Sequence, residues 1–384
     1  MKELAVLGGP PVSDKLIPIA KPVFVDKEIE KVVEVLKSGK VRQGPKTEEF
    51  EKKFCEKVGS KYAYAVNSGT AALHTAFLST LKPGDEVIVP AFTFISTAST
   101  VLFSNAKPVF ADINEETFTI SPEDAKEKVS SKTKAIAPVH LFGNAADMKT
   151  LQQIAEDHNL YIVSDAAQAH GTKVDGKDVG SFDDLNCYSF YATKIITTGE
   201  GGMVTTNNKE FFERGKLIRS HGQQSKYYHT LLGLNYRMTD MTAVLGLNQL
   251  ERLDSFVEKR RHNAMILTEG IRKIDGIRPP VVKNNVYHSF YQYSVLMDLS
   301  RYRCSRDEFI EALKAENIGC GVHYPVPLTK QPAFAGILKV DECLIAEDVS
   351  KRIFSLPVHP QLSSHDVEKI LEALEKVSSF YLKK

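Results

Sequence analysis

The sequence predicts an α/β fold, a large domain on a mainly parallel sheet followed by a smaller C-terminal α+β domain. Three observations carry this expectation. From residue 62 to about residue 219, strand-length apolar runs alternate with segments of helical periodicity. Near-continuous apolar strands separated by helices indicate a sheet covered on both faces. From Met238 the stretch "MTDMTAVLGLNQLERLDSFVEKRRHNAMILTEGI" then runs helical for far longer than an average helix. After Pro279-Pro280 the pattern changes again, to strands mixed with capped helices. A chain of 384 residues is long enough for one large core and a second, smaller one.

In chain order, "VDKEIEKVVEVLKSGK" spaces Ile29, Val32, Val33 and Leu36 as one helical stripe and stops at Ser38-Gly39. "YAYAV" reads as a strand, and "TAALHTAFLSTL" as a helix opening on Asn67-Ser68-Gly69. "DEVIVP" is a buried strand, "TFISTASTVLFSNA" a helix and "KPVFADI" a strand. "KAIAPVHLF" leads to the helix "DMKTLQQIAEDHN". The strands "LYIVSDA", "LNCYSFYA" and "GGMVTT" precede a helix at "KEFFERGKLIR". In the long helical stretch Leu250, Leu253 and Val257 share a stripe, which marks a connector between domains. The expected large domain spans 1–254, including the N-terminal helical segment, and the small domain 255–384. In the latter, "YHSFYQYSVLMDL" and "GCGVHY" read as strands. Ser305 to Glu308 forms a capping box ahead of "FIEALKAENI", and "SSHDVEKILEALEKV" opens similarly.

Composition narrows the function classes. Hydrophobic content of 42% and charged content of 25% are ordinary for a soluble globular chain. A net charge of +1 gives no electrostatic case for nucleic acid or an anionic membrane as partner. No apolar run reaches the roughly 18 residues of a spanning helix, and the opening "MKELAVLGGPPVSD" lacks signal-peptide architecture. The five cysteines, 55, 187, 304, 320 and 343, are scattered without a C-x-x-C pair. That pattern fits reduced thiols in a cytoplasmic protein rather than a disulfide framework or a metal site.

Three segments could carry chemistry. "NSGTAALH" runs a strand through a turn into a helix, so free N–H groups and the positive helix end converge, as a phosphate requires. A plain N-cap is the alternative, and no Lys-Ser/Thr pair closes a P-loop. In "VSDAAQAHG", Asp165 ends an apolar strand, where open α/β sheets place ligands. A carboxylate there is costly without a facing cation or donor; Gln168 can point the same way. An Asp capping the next turn is the alternative. Lys194, in "YSFYATKIITTGEGG", follows another strand and precedes glycines that permit close backbone approach. Taken alone, a lysine after a strand reads as a surface cation. As a set, the three match pyridoxal phosphate: the lysine forms an imine with the aldehyde, the acid keeps the pyridine nitrogen protonated, and the helix end holds the phosphate. Phe92, in "VPAFTF", is the candidate to stack on the ring.

The chain resembles, nearly end to end, the DegT/DnrJ/EryC1/StrS aminotransferases, fold-type-I pyridoxal-phosphate enzymes acting on sugars. The resemblance rests on "SGKVRQGPKTEEFEKKF", "AVNSGTAALH", "PGDEVIVPAFTF", "PVFADI", "PVHLFGNAADM", "DAAQAHG", "SFYATKIITTGEGGMV", "LGLNYRMTDMTAVLGLNQL", "GVHYPVPL" and "LPVHPQL", in the family's order and close to its spacing. It implies a seven-stranded sheet in the large domain. Lys194 matches the Schiff-base lysine, Asp165 the partner of the pyridine nitrogen and Gln168 the residue beside the ring hydroxyl. Gly69, Thr70 and Ser189 match phosphate contacts, and Phe92 the stacking aromatic. Asn235 matches an asparagine that reaches the phosphate from a neighbouring subunit, which implies a homodimer with shared sites. Arg219 and His221 follow an "R-x-H-G" pattern; His323 and Tyr324 match the segment near the substrate mouth. A histidine or tyrosine packed at a domain interface is the alternative for such positions.

The activity this implies is ping-pong transamination, with glutamate or glutamine as amino donor. The acceptor is expected to be a nucleotide-linked 4-keto-6-deoxysugar or a 3-keto relative. "LAVLGGPPV" resembles the opening of members acting on cyclitols, so a keto-cyclitol or aminobenzoate-type precursor is the second expectation. Lys194 argues against the sugar dehydratases of this fold, which carry histidine there. Intact Lys194, Asp165 and Gln168 argue against a binding protein on a retired scaffold. A nicotinamide dehydrogenase also fits the α/β alternation, but no G-x-G-x-x-G follows a strand in this sequence.

Overall fold

The computed structural model describes residues 3–182, 184–338 and 340–383. Seven strands form the central sheet: β1 (Tyr62–Val66), β2 (Glu86–Pro90), β3 (Lys107–Ala111), β4 (Thr133–Ile136), β5 (Tyr161–Asp165), β6 (Leu185–Ser189) and β7 (Gly202–Thr206). Their spatial order is β1-β7-β6-β5-β4-β2-β3. Six run in one direction, and β7 is antiparallel to both neighbours. The reason lies in the link from β6 to β7. It contains no α-helix to carry a parallel crossover, so the chain turns back beside the strand it left. β6 and β7 are buried along their whole length, the polar Asn186, Ser189, Thr205 and Thr206 included. The helix Gly69–Thr80 lies over them and buries most of its apolar side chains, with His74 and Thr75 meeting the Tyr236 and Tyr64 hydroxyls.

A second core follows the long connector. Its sheet comprises β8 (Ile277–Arg278), β9 (Tyr293–Met297) and β10 (Ile353–Leu356), all antiparallel. The helices Arg306–Ala315 and Ser364–Tyr381 cover it, and both open with the reciprocal capping boxes expected of Ser305 and Ser363. "GCGVHY" forms no strand; Gly321 makes only an isolated bridge to Ser355.

Packing divides the chain differently from a cut at residue 254. Leu4 and Ile17 belong to the second core. The buried Glu316 carboxylate accepts the N–H groups of Ala5 and Val12 at 2.9 Å and pairs with Lys376. These bonds fasten the opening residues to the C-terminal unit. The connector is two helices, Asp240–Glu251 and Leu253–Ile271, broken at Arg252, whose guanidinium reaches Glu28 at 3.2 Å. The second of them is shared: Phe256 and Val257 pack in the sheet's core, Ala264 and Leu267 in the other.

The helix Asp26–Ser38 forms as its periodicity predicts, but its apolar stripe faces outward. Ile29 is 55% exposed and Leu36 52%, while Glu28 is fully buried. Glu28 turns inward because it accepts hydrogen bonds from Gln249 and Arg252 as well as from the Val25 N–H.

Candidate active site

The carboxyl ends of β1, β5 and β6 surround a cavity of about 610 Å³. Each end contributes what its turn presents. After β1, Ser68 caps the helix Gly69–Thr80 by accepting the Ala71 N–H at 3.1 Å, and Ser68, Gly69 and Thr70 line the cavity. The helix end presses on the tip of β6. A Cβ on Gly69 would lie 2.6 Å from that of Ser189, so glycine alone permits this approach. Ser189 also lines the cavity, and Thr70 shares a 2.8 Å hydroxyl contact with Ser96.

Asp165 closes β5 and is 5% exposed. Its Oδ2 accepts from the Thr97 hydroxyl at 2.8 Å and its Oδ1 from the Ala167 N–H at 3.1 Å. Burial pushes its pKa above the ordinary carboxylate range, and the two donors and the Lys194 charge offset only part of that rise. Gln168 is fixed at both ends of its amide. It accepts from the Phe142 N–H at 2.8 Å and donates to the Tyr324 hydroxyl at 2.9 Å.

Lys194 sits in the turn beyond β6, with its N–H donating to Tyr191 at 2.9 Å. Its Nζ lies 4.6 Å from the centre of the Tyr291 ring, within the range of a cation–π contact. The Tyr291 hydroxyl in turn meets Thr193 at 2.9 Å. The second core thus closes one wall, with Tyr291, Gln292, His323 and Tyr324 all lining the cavity. Burial and then the Lys194 charge hold the His323 imidazole below its usual pKa, and burial raises that of the Tyr324 hydroxyl.

Of the expected site residues, Lys194, Asp165, Gln168, Gly69, Thr70, Ser189, His323 and Tyr324 meet in this cavity. Phe92 does not. It is fully buried in the sheet's core with its ring against the edge of Tyr324, and Phe94 lines the cavity instead. The chain leaves β2 at Pro90, so strand alternation no longer says which aromatic points inward. Arg219 is also elsewhere. It is 2% exposed, paired with Glu51 and bonded to the Ala65 carbonyl at 2.7 Å, a brace between β1 and the helix Pro45–Val58. His221 and Asn235 are exposed and do not line this chain's cavity. Sequence reasoning missed Phe94, Tyr191, Glu200, Tyr291 and Gln292. The Gly-Glu-Gly-Gly cluster could have pointed to Glu200, whereas Tyr291 and Gln292 precede a strand of the other core.

Among the described residues there is no cluster of side chains fit to hold a metal ion, and no helix is long and apolar enough to cross a membrane. Comparison with known proteins gives consistent results. A family model described as the DegT/DnrJ/EryC1/StrS aminotransferase family matches residues 22–375. GDP-perosamine synthase of Escherichia coli O157:H7 is 37% identical over 372 residues, covering 96% of this chain and 99% of that protein. The UDP-2-acetamido-2-deoxy-3-oxo-D-glucuronate aminotransferase of Pseudomonas aeruginosa is 33% identical over 342 residues, 88% of this chain and 93% of its own. Among solved structures, Spr1654 of Streptococcus pneumoniae in its PLP form superposes with a TM-score of 0.90 at 30% identity, over 96% of this chain and all of that one.

Proposed function

The chain belongs to the DegT/DnrJ/EryC1/StrS aminotransferase family, and we propose that it moves an amino group from glutamate or glutamine to a nucleotide-linked keto-sugar, using pyridoxal phosphate. The observation that carries this reading is a single cavity bounded by a helix end, a buried carboxylate and a half-buried lysine. The donor set fits the cofactor. Asp165 is a buried acid whose charge calls for a facing cation, which a protonated pyridine nitrogen provides. Gly69, Thr70 and Ser189 line the cavity at the N-terminal end of the helix Gly69–Thr80, where a phosphate would be held. Phe94 is the aromatic available to cover one ring face, and Gln168 the amide beside the ring.

When bound, pyridoxal phosphate supplies an aldehyde and a ring that withdraws electrons from the carbon bearing the amine. The chain supplies the rest. Lys194 Nζ would hold the aldehyde of the cofactor and, once free, would take the proton from the donor's α-carbon and return it to the former aldehyde carbon. Asp165 would keep the ring nitrogen protonated. Tyr291 and Thr193 limit where Lys194 can go, so the proton travels a short, fixed path. The acceptor reading, a 4-keto-6-deoxysugar or a 3-keto relative, is supported by relatives named for a perosamine nucleotide and a 3-oxo sugar nucleotide. The reading includes a homodimer with shared sites. In its support, Asn235 and His221 lie on the surface outside this chain's own cavity.

Lys194→Ala is expected to abolish transfer and the visible absorbance of the bound cofactor while leaving the far-ultraviolet circular dichroism unchanged. Turnover at the wild-type rate would sink the mechanism. Mixing the aminated enzyme with a panel of keto-sugar nucleotides and keto-cyclitols, and watching which restores the absorbance, identifies the acceptor.

A further inference from the structure

Arg260 is a buried cation without a counter-charge. It lies on the helix Leu253–Ile271, is 5% exposed, and forms no ion pair with any carboxylate among the described residues. Its Nη1 donates to the carbonyls of Phe290 at 3.2 Å and Tyr291 at 3.0 Å, while its Nε has no partner. Burial pushes its pKa down to about 10. A desolvated guanidinium satisfied only by neutral carbonyls is expensive, and an anion beside it would offset that cost.

The space for one exists. A chamber of about 70 Å³ is lined by Arg260 together with Thr193, Tyr291, Gln292 and His323, and those last four also line the large cavity. Two further polar atoms at the chamber, Gln292 Oε1 and His323 Nδ1, are buried and unpartnered. Arg260 and Lys194 also line one narrow cleft together. Of these orphaned atoms, Arg260 Nε and, as its N–H tautomer, His323 Nδ1 can donate to an anion, whereas Gln292 Oε1 accepts from a donor group of the ligand; together they describe a polar ligand site. The chamber is large enough to admit a planar carboxylate.

We propose that this chamber receives the α-carboxylate of the amino donor, with Arg260 as its cation and the donor's amine directed at the Lys194 side. The assignment rests on the transaminase reading and adds to it the residue that recognises the donor. It also separates the two substrates: the donor is held by the second core, and the sugar nucleotide need not touch Arg260.

The test compares the holoenzyme with Arg260→Met and Arg260→Lys, the latter keeping both a charge and donors for the two carbonyls. Thermal unfolding is followed with 2-oxoglutarate or with a nucleoside diphosphate alone as probe. The expected result is that 2-oxoglutarate raises the wild-type Tm, weakly that of R260K and not that of R260M, whereas the nucleotide raises all three. In single half-reactions, R260M is expected to raise the KM for glutamate about 10- to 100-fold and to leave amine transfer to a keto-sugar nucleotide nearly unchanged. Three results overturn the assignment. These are an unchanged glutamate KM, loss of both half-reactions together in both variants, or a nucleotide response that disappears with Arg260. If the wild type takes up no amine from any donor, the transaminase reading itself fails; uptake insensitive to Arg260 removes this inference alone.

Discussion

Asp165 keeps a charge in a place that resists one, and Thr97 is the side chain that lets it. The threonine is fully buried and its hydroxyl points at Oδ2, with a second hydroxyl, Thr93, 3.1 Å behind it. Thr97→Val keeps the shape and removes the donor, so the Asp165 pKa rises further and the carboxylate forms only at higher pH. The expected outcome is a cofactor dissociation constant about tenfold higher, with the loss greatest at acid pH, read by absorbance titration across the pH range. Thr97→Ser should recover most of the affinity. An unchanged pH profile for the valine variant would show that Thr97 only fills space. Residues of this kind explain what the sequence did and did not reveal. Asp165 and Lys194 were legible because one ends and the other follows a recognisable strand, where ligands gather. Phe94 and Arg260 were not. One lies past a proline turn where alternation stops, and the other is a charge inside a helix whose neighbours give no hint that it is buried.

Elements obey the same division. The sheet and its order of strands and helices were readable from apolar runs, and the capping boxes at Ser305 and Ser363 marked two helix starts. The facing of the helix Asp26–Ser38 was not readable, because Glu28 is drawn inward by Gln249 and Arg252, which come from a distant part of the chain. The key contact between elements is the helix Gly69–Thr80 resting on the tip of β6. Gly69→Ala brings a methyl to 2.6 Å from the Ser189 Cβ and 3.0 Å from its Oγ. Ser189 belongs to a fully buried strand and has little freedom to yield, so the helix end must lift. Such overpacking costs about 1–3 kcal/mol. Differential scanning calorimetry should show a lower Tm, and cofactor affinity should fall with it. A variant of wild-type stability and affinity would mean that the helix end is not held where its function requires.

At the scale of the molecule, one chain leaves several large apolar side chains exposed. The outward stripe of Ile29, Val33 and Leu36 is joined by Phe24, which is 46% exposed, and elsewhere Leu232 is 97% exposed and Tyr227 82%. Exposed apolar patches of this kind mark association surfaces. Tyr227 and Leu232 lie in the chain segment between His221 and Asn235, the two expected site residues that are exposed and stay outside their own cavity. If that segment completes the site of a second copy, Lys194 and Asn235 of one active site come from different chains. Two inactive variants then repair each other. Lys194→Ala and Asn235→Ala, each purified alone, should show little transfer. After mixing, partial unfolding and reassembly, half the dimers are heterodimers. Each has one site with both lesions and one with neither, so about a quarter of wild-type activity returns. Turnover measured before and after subunit exchange reads this directly. Sites built within one chain would give no recovery at any mixing ratio, because every site would keep its own lesion.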